Sequence, residues 1–366
     1  MKPVDPAGVD TPIGYVDLGR VRANAQRVAD YAAQHGFAWR PHIKTHKSLE
    51  VARMQLEAGA RGLTVATLRE AEVMSTLTSD LLLAYPPVGD AKLERLVCLP
   101  ASLDLKVALD SADVLESVAA AAAARDRVIG ILVEQDVGLG RVGVQTSADV
   151  VRLATLASSL KGVEFRGLMF YPGHIRMPQD KQREPLARVC EQLTDTYAAL
   201  EGAGFSPGIV SGGSTPTLWH SHQFPGLTEI RSGSCIFFDR EGLAVGVASH
   251  DDLAYTVLAT VVSTAVPGHA VVDSGSKALA KEGPGGEGGF GVLFDHPDVE
   301  VVSLSEEHGV LDLSRTAWRP AIGERVRIVP NHVCVSVNLQ EELLARDSDA
   351  HSMLALEGRG RGPWIG

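Results

Sequence analysis

Arg40-Pro41-His42-Ile43-Lys44-Thr45-His46-Lys47 is the stretch from which the fold of this protein can be worked out. It includes the end of the first strand-like segment, residues 38–43, which follows an amphipathic helix. A lysine at the carboxyl end of a barrel strand can form a Schiff base with an aldehyde, and burial or neighbouring cations lower its affinity for a proton. Lys44 is the candidate, flanked by His42, His46 and Lys47. The alternative interpretation is that Lys44 and Lys47 are ordinary loop lysines exposed to solvent.

Seven more strand-like segments follow, separated by helical stretches. Short β-branched runs bounded by turn residues predict strands at 38–43, 62–66, 80–84, 104–109, 128–134, 163–170, 207–211 and 228–232. Asp17 can cap a helix that ends near Gly36, and further helices are predicted at 48–58, 68–77, 111–124 and 180–202. This alternation predicts a parallel α/β barrel of the TIM type, (β/α)8, with a doubly wound sheet as the alternative.

The chain changes character beyond about residue 240, where the helical spacing disappears. Strands are predicted at 257–266, 270–272, 299–304 and 324–329, which indicates a β-rich C-terminal domain. We therefore divide the chain into a barrel at 11–240 and a β-domain at 241–366, which the extreme N-terminus could join. The glycine-rich segment 282–289 cannot pack a core and is predicted to be a mobile loop.

Composition excludes several classes of partner. The 366 residues are 45% hydrophobic, enough for a full core, and the net charge of -11 argues against nucleic acid or an anionic membrane as partner. Small anionic ligands would need locally placed cations. The N-terminus lacks the apolar core of a secretory signal, and we find no apolar stretch long enough to span a bilayer, so we expect a cytoplasmic protein. Four scattered cysteines without a CxxC pair make a disulfide framework unexpected.

Three loops after predicted barrel strands carry unusual residues. Residues 138–143, after the fifth strand, combine glycines with the cation of Arg141. Residues 211–217 and 231–234, after the seventh and eighth strands, offer glycines, hydroxyls and backbone amides. Loops at these last two positions commonly bind phosphate in such barrels. A Schiff-base lysine and a phosphate site on one barrel rim describe a pyridoxal 5'-phosphate site.

A possible metal site lies near the C-terminus, in Asn331-His332-Val333-Cys334-Val335. The flanking valines predict a strand, in which residues two apart present imidazole and thiolate on one face. This pair suits a divalent ion such as zinc. A His-x-Cys pair alone does not require a metal: the alternative is a hydrogen-bonded core histidine beside a small buried cysteine.

Several motifs together resemble the D-serine dehydratase and D-threonine aldolase family, which shares the alanine racemase N-terminal barrel, called fold type III among pyridoxal phosphate enzymes. The runs that carry the resemblance extend over nearly the whole chain and are Pro41–Lys47, Thr67–Glu72, Gly213–Thr217 and His332–Cys334. The resemblance implies a homodimer with head-to-tail subunits. It also implies zinc, manganese or magnesium at His332 and Cys334, with coordination positions left open for water and a substrate oxygen.

The resemblance also implies roles for single residues. Lys44 would carry the cofactor and Arg141 would meet its phenolic oxygen. The phosphate would be held by Gly213, Ser214, Thr215, Gly233 and Ser234. Tyr171 and His174, in a turn after the sixth strand, look like active-site residues. Lys277 is a competing lysine in the β-domain, and His308 lies in a family turn that we interpret as structural.

These parts predict a lyase that acts on β-hydroxy-D-amino acids. If Lys44 removes the α-proton, loss of the hydroxyl gives a keto acid and ammonia, as in D-serine dehydratase. If His174 or His46 removes the hydroxyl proton instead, the bond between Cα and Cβ breaks and glycine and an aldehyde result, as in D-threonine aldolase. We favour dehydration, because relatives of the aldolase type often carry aspartate at the cysteine position. The turn at Tyr171–His174 departs from a typical dehydratase. An amino acid racemase and a non-catalytic cofactor carrier are the less favoured alternatives.

Overall fold

The predicted barrel strands form one parallel sheet in the structure, a computed structural model that describes residues 2–282 and 288–365. The strands of the described residues are, in chain order, β1 Lys2–Pro3, β2 Ile13–Asp17, β3 Ala38–Trp39, β4 Leu63–Val65, β5 Asp80–Leu83, β6 Asp104–Leu109, β7 Ile129–Gln135, β8 Val163–Phe170, β9 Ile209–Gly212, β10 Glu229–Ile230, β11 Tyr255–Ser263, β12 His269–Val272, β13 Gly291–Leu293, β14 Val301–Leu304, β15 Gly309–Asp312, β16 Arg325–Pro330, β17 Glu342–Asp347 and β18 Ala350–Ala355. The α-helices are α1 Leu18–Gln34, α2 Leu49–Glu57, α3 Leu68–Met74, α4 Asp90–Cys98, α5 Ala112–Ala123, α6 Ser147–Ser159, α7 Arg183–Gly202, α8 Arg240–Val245, α9 Ser276–Leu279 and α10 Val333–Leu339.

The parallel sheet has eight strands in the order β3-β10-β9-β8-β7-β6-β5-β4. A parallel bridge between His42 and Thr64 joins the two ends of this path, just beyond β3. The (β/α)8 interpretation is therefore confirmed, and the doubly wound alternative is wrong. Leu82, Ala108, Leu132 and Met169 come from four neighbouring strands and form one buried cluster. Strand β7 is buried along its whole length, as expected for a parallel strand covered on both faces.

Local sequence explains where the helices begin. Asp17 was predicted to cap the first helix, and its Oδ1 accepts a hydrogen bond from the Arg20 amide at 3.1 Å. Thr67, Ser111 and Thr146 cap α3, α5 and α6 in the same way, each accepting from the amide three residues later. These caps fix the points at which the chain leaves the barrel loops.

The other sheet is mostly antiparallel and contains the strands predicted for the β-domain. Its main path is β1-β18-β17-β2-β11-β12-β15-β14, and β16 pairs with β11 and β13. The N-terminal strand β2 lies between β11 and β17. The N-terminal residues therefore belong to this sheet rather than to the barrel. Residues 283–287 of the segment predicted to be a mobile loop lie outside the described residues.

The chain divides into two units at positions that differ from our sequence-based boundaries. One unit comprises Met1–Ala25 and Ser234–Leu356, and the other comprises Gln26–Gly233 and Glu357–Gly366. The C-terminal residues joined to the barrel unit include Glu357, whose carboxylate accepts a hydrogen bond from the Leu49 amide at 3.0 Å. Within the described residues, no helix is both long enough and apolar enough to cross a membrane.

Candidate active site

Lys44 lies in a short turn at the carboxyl end of the first barrel strand. The chain leaves β3, pairs with Thr64 through His42, and forms a 3₁₀ turn at Ile43–Thr45. The His42 Nδ1 accepts a hydrogen bond from the Lys44 amide at 3.4 Å, so the imidazole caps the turn that contains the lysine. The lysine therefore lies on the barrel edge at which the loops after the other strands also begin.

Lys44 is distinguished from its competitors by its lack of an anionic partner. The Lys47 amine lies 2.9 Å from the buried carboxylate of Glu70. The Lys277 amine is exposed in the other unit and pairs with Glu307 at 2.7 Å and Glu306 at 3.2 Å, which raises its pKa. Among the described residues, the Lys44 amine forms no ion pair or side-chain hydrogen bond. An amine without an anionic partner is more easily deprotonated than the paired amines of Lys47 and Lys277, as attack on an aldehyde requires.

Positive charge converges on the surroundings of Lys44. Burial lowers the pKa of His42 far below its usual range, and the charges of Lys44, Arg231, Lys47 and Arg141 lower it further. His42 is therefore neutral near pH 7 and can accept the hydrogen bond from the Lys44 amide. Such a concentration of cations in a protein of net charge -11 indicates a local site for an anionic ligand.

Two charged residues inside the barrel were not assigned roles from the sequence. The buried Arg231 guanidinium donates to Ser211 Oγ at 3.0 Å and to the Phe170 carbonyl at 2.9 Å. Burial raises the pKa of Glu134 to about 7, although Arg231 and Arg141 act in the opposite direction. In the sequence, Glu134 can be recognised as a charged residue within the apolar run that forms β7. Arg231 begins the loop at residues 231–234, after the eighth barrel strand.

Arg141 is held in place by a loop built on Asp136. One Asp136 oxygen accepts from the amides of Gly138, Leu139 and Gly140 at 3.0 to 3.2 Å. Burial opposes ionisation of Asp136, but these amides lower its pKa overall. The Arg141 guanidinium then lies 5.0 Å from the centre of the Tyr171 ring, a cation–π distance. Two residues that the sequence predicted as site residues are thus neighbours.

His174 packs against the same loop. A Cβ atom added at Gly138 would lie 3.0 Å from the His174 ring, so a glycine is needed at this contact. The His174 Nδ1 is buried without a hydrogen-bond partner among the described residues. Burial lowers the pKa of His174, while Asp136 partly opposes that shift. The imidazole is therefore neutral near pH 7 and can accept a proton.

The loops after β9 and β10 contact each other and the Lys44 stretch. Ser232 Oγ donates to the Ser214 carbonyl at 3.0 Å, and a Cβ added at Gly233 would lie 2.3 Å from the His42 carbonyl oxygen. Gly213 has φ +85°, a conformation that favours glycine. The neighbouring Thr215 is buried. Ser234 begins the next unit, so its predicted contact with a phosphate stays a prediction.

The Gly233 contact leads to a first prediction. We expect Gly233→Ala to weaken retention of an aldehyde cofactor by about tenfold, because the new methyl group would displace either the loop or the backbone beside Lys44. Dialysis followed by absorbance spectroscopy measures the retained fraction. The matched control is Gly202→Ala, since a Cβ there meets no atom within 4 Å. Equal retention by the two variants would contradict the prediction.

A second cluster of functional groups lies in the unit that contains α8 and α10. Ligand atoms of Asp239, Glu241 and His332 all lie within 4.8 Å of one another. The His332 Nδ1 is 3.3 Å from Asp239 Oδ2 and 3.6 Å from Glu241 Oε2, but it lacks a hydrogen bond of good geometry. An imidazole nitrogen that faces two carboxylates without bonding to either fits a metal ion between them.

The electrostatics of this cluster also fit a cation. Burial lowers the pKa of His332, but the nearby Asp239 and Cys334 outweigh this effect and raise the pKa to about 11. The site thus has an excess of negative charge, which a divalent ion would balance in place of the proton. Asp239 is rigidly held, because its two oxygens accept from the amides of Gly242 and Val333, each at 2.9 Å.

The prediction of a strand around His332 and Cys334 is wrong. His332 has extended backbone at the N-terminus of α10, and Cys334 lies inside that helix. The alternating valines suggested a strand, but Val333, Ser336 and Val337 are buried at helical spacing. The compact group of ligand atoms consists of His332, Asp239 and Glu241, and the sequence had not pointed to the two carboxylates. Their sequence signal was weak, since they stand about 90 residues from His332.

The residues around Lys44 can be tested for fit to a phosphorylated aldehyde such as pyridoxal 5'-phosphate. The amine is unpaired, the surrounding groups are cationic, and Gly233 leaves no room for a side chain beside His42. The unpaired amine is what an aldehyde requires, and the cationic surroundings are what a phosphate requires. The residues present fit this cofactor.

Comparison with known proteins gives matches along nearly the whole chain. The family described as "Alanine racemase, N-terminal domain" matches residues 16–241, and the one described as "Putative serine dehydratase domain" matches residues 254–346. D-threonine aldolase from Arthrobacter sp is 34% identical over 98% of this chain and 95% of its own length. D-threo-3-hydroxyaspartate dehydratase from Delftia sp. (strain HT23) is 32% identical over 90% of this chain and 92% of its own length.

Solved structures show the same similarity. The crystal structure of D-threonine aldolase from Filomicrobium marinum matches with a TM-score of 0.90, at 30% identity and over 98% of each chain. Two solved variants of D-threo-3-hydroxyaspartate dehydratase match with TM-scores of 0.88 and 0.87, each at 29% identity and over at least 97% of both chains. One variant replaces a histidine by alanine, and the other replaces a cysteine two positions further on and is described as metal-free.

Proposed function

The chain belongs to the D-serine dehydratase and D-threonine aldolase family, and on that basis we propose that it is a lyase for β-hydroxy-D-amino acids that uses pyridoxal 5'-phosphate and a divalent metal ion. Dehydration to a 2-oxo acid and ammonia is the reaction that we favour. The observation that carries the proposal is the unpaired Lys44 amine among converging cations. Named relatives of both reaction types support the lyase class.

In this proposal, the cofactor is held by residues of the barrel unit and by Ser234, which follows Gly233 in the chain. Lys44 would attach it through the side-chain amine, and Arg141 would donate to its phenolic oxygen. The amides and hydroxyls at Gly213, Ser214, Thr215, Gly233 and Ser234 would receive its phosphate. Tyr171 would help to orient the ring. When bound, pyridoxal phosphate supplies a conjugated system that accepts electrons from a bond broken at the α-carbon.

Residues of the other unit would hold the metal ion. His332 and Cys334 are the predicted ligands, and the positions of the Asp239 and Glu241 carboxylates support adding them to the set. Imidazole, thiolate and carboxylate together suit zinc better than magnesium. A bound divalent ion supplies positive charge that stabilises a developing negative charge on oxygen. The spacing of His332 and Cys334 equals that of the histidine and cysteine replaced in the dehydratase variants.

The proton acceptor decides between the two reactions. If the Lys44 amine takes the α-proton, the hydroxyl leaves, and hydrolysis of the remaining enamine gives the 2-oxo acid and ammonia. If the neutral imidazole of His174 takes the hydroxyl proton, the bond between Cα and Cβ breaks and gives glycine and an aldehyde. His46 is a poorer base, because burial lowers its pKa to about 3.

Specific observations support each reaction. The histidine and cysteine pair favours dehydration, since the same pair of residue types at the same spacing was altered in a dehydratase. The neutral imidazole of the half-buried His174 beside Gly138 favours retro-aldol cleavage, as does the 34% identity to a D-threonine aldolase. Retro-aldol cleavage is therefore the second candidate function.

Product analysis tests the proposal. The purified protein, loaded with pyridoxal phosphate and zinc, would be incubated separately with D-serine, D-threonine and D-threo-3-hydroxyaspartate. Dehydration gives a 2-oxo acid and ammonia in equal amounts, whereas retro-aldol cleavage gives glycine and an aldehyde. Glycine without release of ammonia would refute the dehydratase assignment. The L-enantiomers are the controls, and activity towards them alone would refute the stereochemical assignment.

We also propose that the protein is a homodimer, as the family resemblance implies. Size-exclusion chromatography with light scattering measures the mass directly, and the mass of one chain is 38.8 kDa. A fully active species of that mass at assay concentration would contradict the dimer.

A further inference from the structure

A cavity of about 140 Å³ lies within the unit formed by Met1–Ala25 and Ser234–Leu356. Its wall includes Arg20 at the start of α1, Arg327 on β16 and Arg346 on β17. None of these arginines belongs to the cofactor or metal residues described above. Three guanidinium groups around one small cavity need an explanation, because like charges repel unless an anion lies between them.

The positive charge of this wall is only partly neutralised by protein groups. Arg20 donates to the carbonyls of His250 and Leu253 at 2.9 and 3.1 Å. Its nearest carboxylate, Asp251, is 4.0 Å away and 97% exposed, so solvent screens it. Arg346 donates to the Ser348 carbonyl at 2.7 Å and forms no ion pair within the described residues.

The remaining charges of the wall do not restore neutrality. Arg327 is paired with Asp295 through contacts of 2.6 and 3.2 Å. Asp17 is the acidic residue in the cavity wall, and its Oδ1 accepts from the Arg20 amide at 3.1 Å. The ring of Phe294 lies 5.2 Å from the Arg20 guanidinium and 4.1 Å from that of Arg327. The cations are thus held in fixed positions before any ligand binds.

Thr256 gives an independent indication of a ligand. This residue also lines the cavity, is only 3% exposed, and its Oγ1 has no hydrogen-bond partner among the described residues. A buried hydroxyl without a partner is unfavourable, and such groups are uncommon in folded proteins. An oxygen atom of a ligand in the cavity would accept its hydrogen bond.

We propose that this cavity binds a small oxyanion, such as phosphate or a small carboxylate, at a site separate from the cofactor and the metal. The planar guanidinium groups present paired donors that match the oxygens of either anion. The volume excludes larger ligands, since pockets for nucleotide-sized molecules measure about 300 Å³ or more. It accommodates an oxyanion with a few waters, each water occupying about 30 Å³ in the liquid.

Calorimetric titration of the cofactor-loaded protein with inorganic phosphate, at constant ionic strength, tests this site. Loading with pyridoxal phosphate first keeps inorganic phosphate out of the cofactor loops. We expect saturable binding that Arg346→Gln weakens about tenfold, because a charged donor is lost. Thr256→Val should weaken it about fivefold without lowering stability in the absence of phosphate, since only an unpartnered hydroxyl is removed.

The matched control is Arg319→Gln, which removes the same charge from an exposed loop position in the same unit. It should bind phosphate as the unmodified protein does. A parallel titration with succinate distinguishes the anions: tighter binding of succinate would assign the site to carboxylates. Absence of saturable binding of both anions, or equal affinities for Arg346→Gln and Arg319→Gln, would overturn the proposal. Since no turnover is measured, this result is independent of the lyase assignment.

Discussion

Replacement of Lys44 by alanine is expected to abolish covalent attachment of the cofactor and to lower turnover by about 10³-fold or more. The reason is that the Lys44 amine would serve both as the attachment point and as the base for the α-proton. The yellow absorbance of a lysine-bound pyridoxal should disappear even when excess cofactor is present. Absorbance spectroscopy and product assays on β-hydroxy-D-amino acids measure the two effects separately.

The control for this experiment is Lys277→Ala. Lys277 is exposed and paired with Glu306 and Glu307, so its loss should leave absorbance and turnover unchanged. Borohydride reduction followed by peptide mapping provides a direct readout of the attachment point. A label on Lys277, or full absorbance and activity in Lys44→Ala, would show that the cofactor assignment is wrong.

Replacement of His332 by alanine is expected to lower the retained metal at least about tenfold and turnover by about 10²-fold. Without the imidazole, Asp239, Glu241 and Cys334 lack a neutral nitrogen ligand for the ion. The cofactor absorbance should remain, because no residue that would hold the cofactor is altered. Metal analysis by mass spectrometry after desalting, together with the absorbance spectrum, separates metal loss from cofactor loss.

His308→Ala is the matched control, since His308 is exposed in the same unit and is not part of the group formed by Asp239, Glu241 and His332. This variant should keep both the metal and the activity. Equal metal content in the two histidine variants would contradict the proposed metal site. If His332→Ala retained metal but lost activity, the imidazole would act on the substrate rather than as a ligand.

The barrel could be predicted from the sequence because its elements have strong local signals. Strand β6 and strand β8 have the bounds that the β-branched runs predicted, and Asp17 caps α1 as expected. Such signals depend on residues within a few positions of one another, so a single chain reveals them. The predicted strand at His332 failed for the same reason: alternating valines favour a strand locally, but burial of Val333 and Val337 on one side of a helix decides the structure.

The candidate site could be predicted only in part. Lys44, Arg141 and the glycine loops stand out in the sequence, and the resemblance to a known family gave them roles. Glu70 neutralises Lys47, whereas Lys44 has no such partner among the described residues. This difference depends on which side chains meet in the folded chain, and Lys47 and Glu70 are 23 residues apart in the sequence. The same holds for the contact of Gly233 with His42, whose residues come from opposite ends of the barrel sequence.

The sequence by itself determined the family and the order of the barrel strands and helices, and it led to the prediction that Lys44 carries the aldehyde, because each of these depends on local pattern or on motifs. Only the tertiary structure decided that Asp239 and Glu241 face His332, that β2 joins the antiparallel sheet, and that Arg20, Arg327 and Arg346 surround one cavity. These groupings arise when distant segments pack together. Burial and charge pairing decide which of these groupings form, and the spacing of residues along the chain does not reveal those energies.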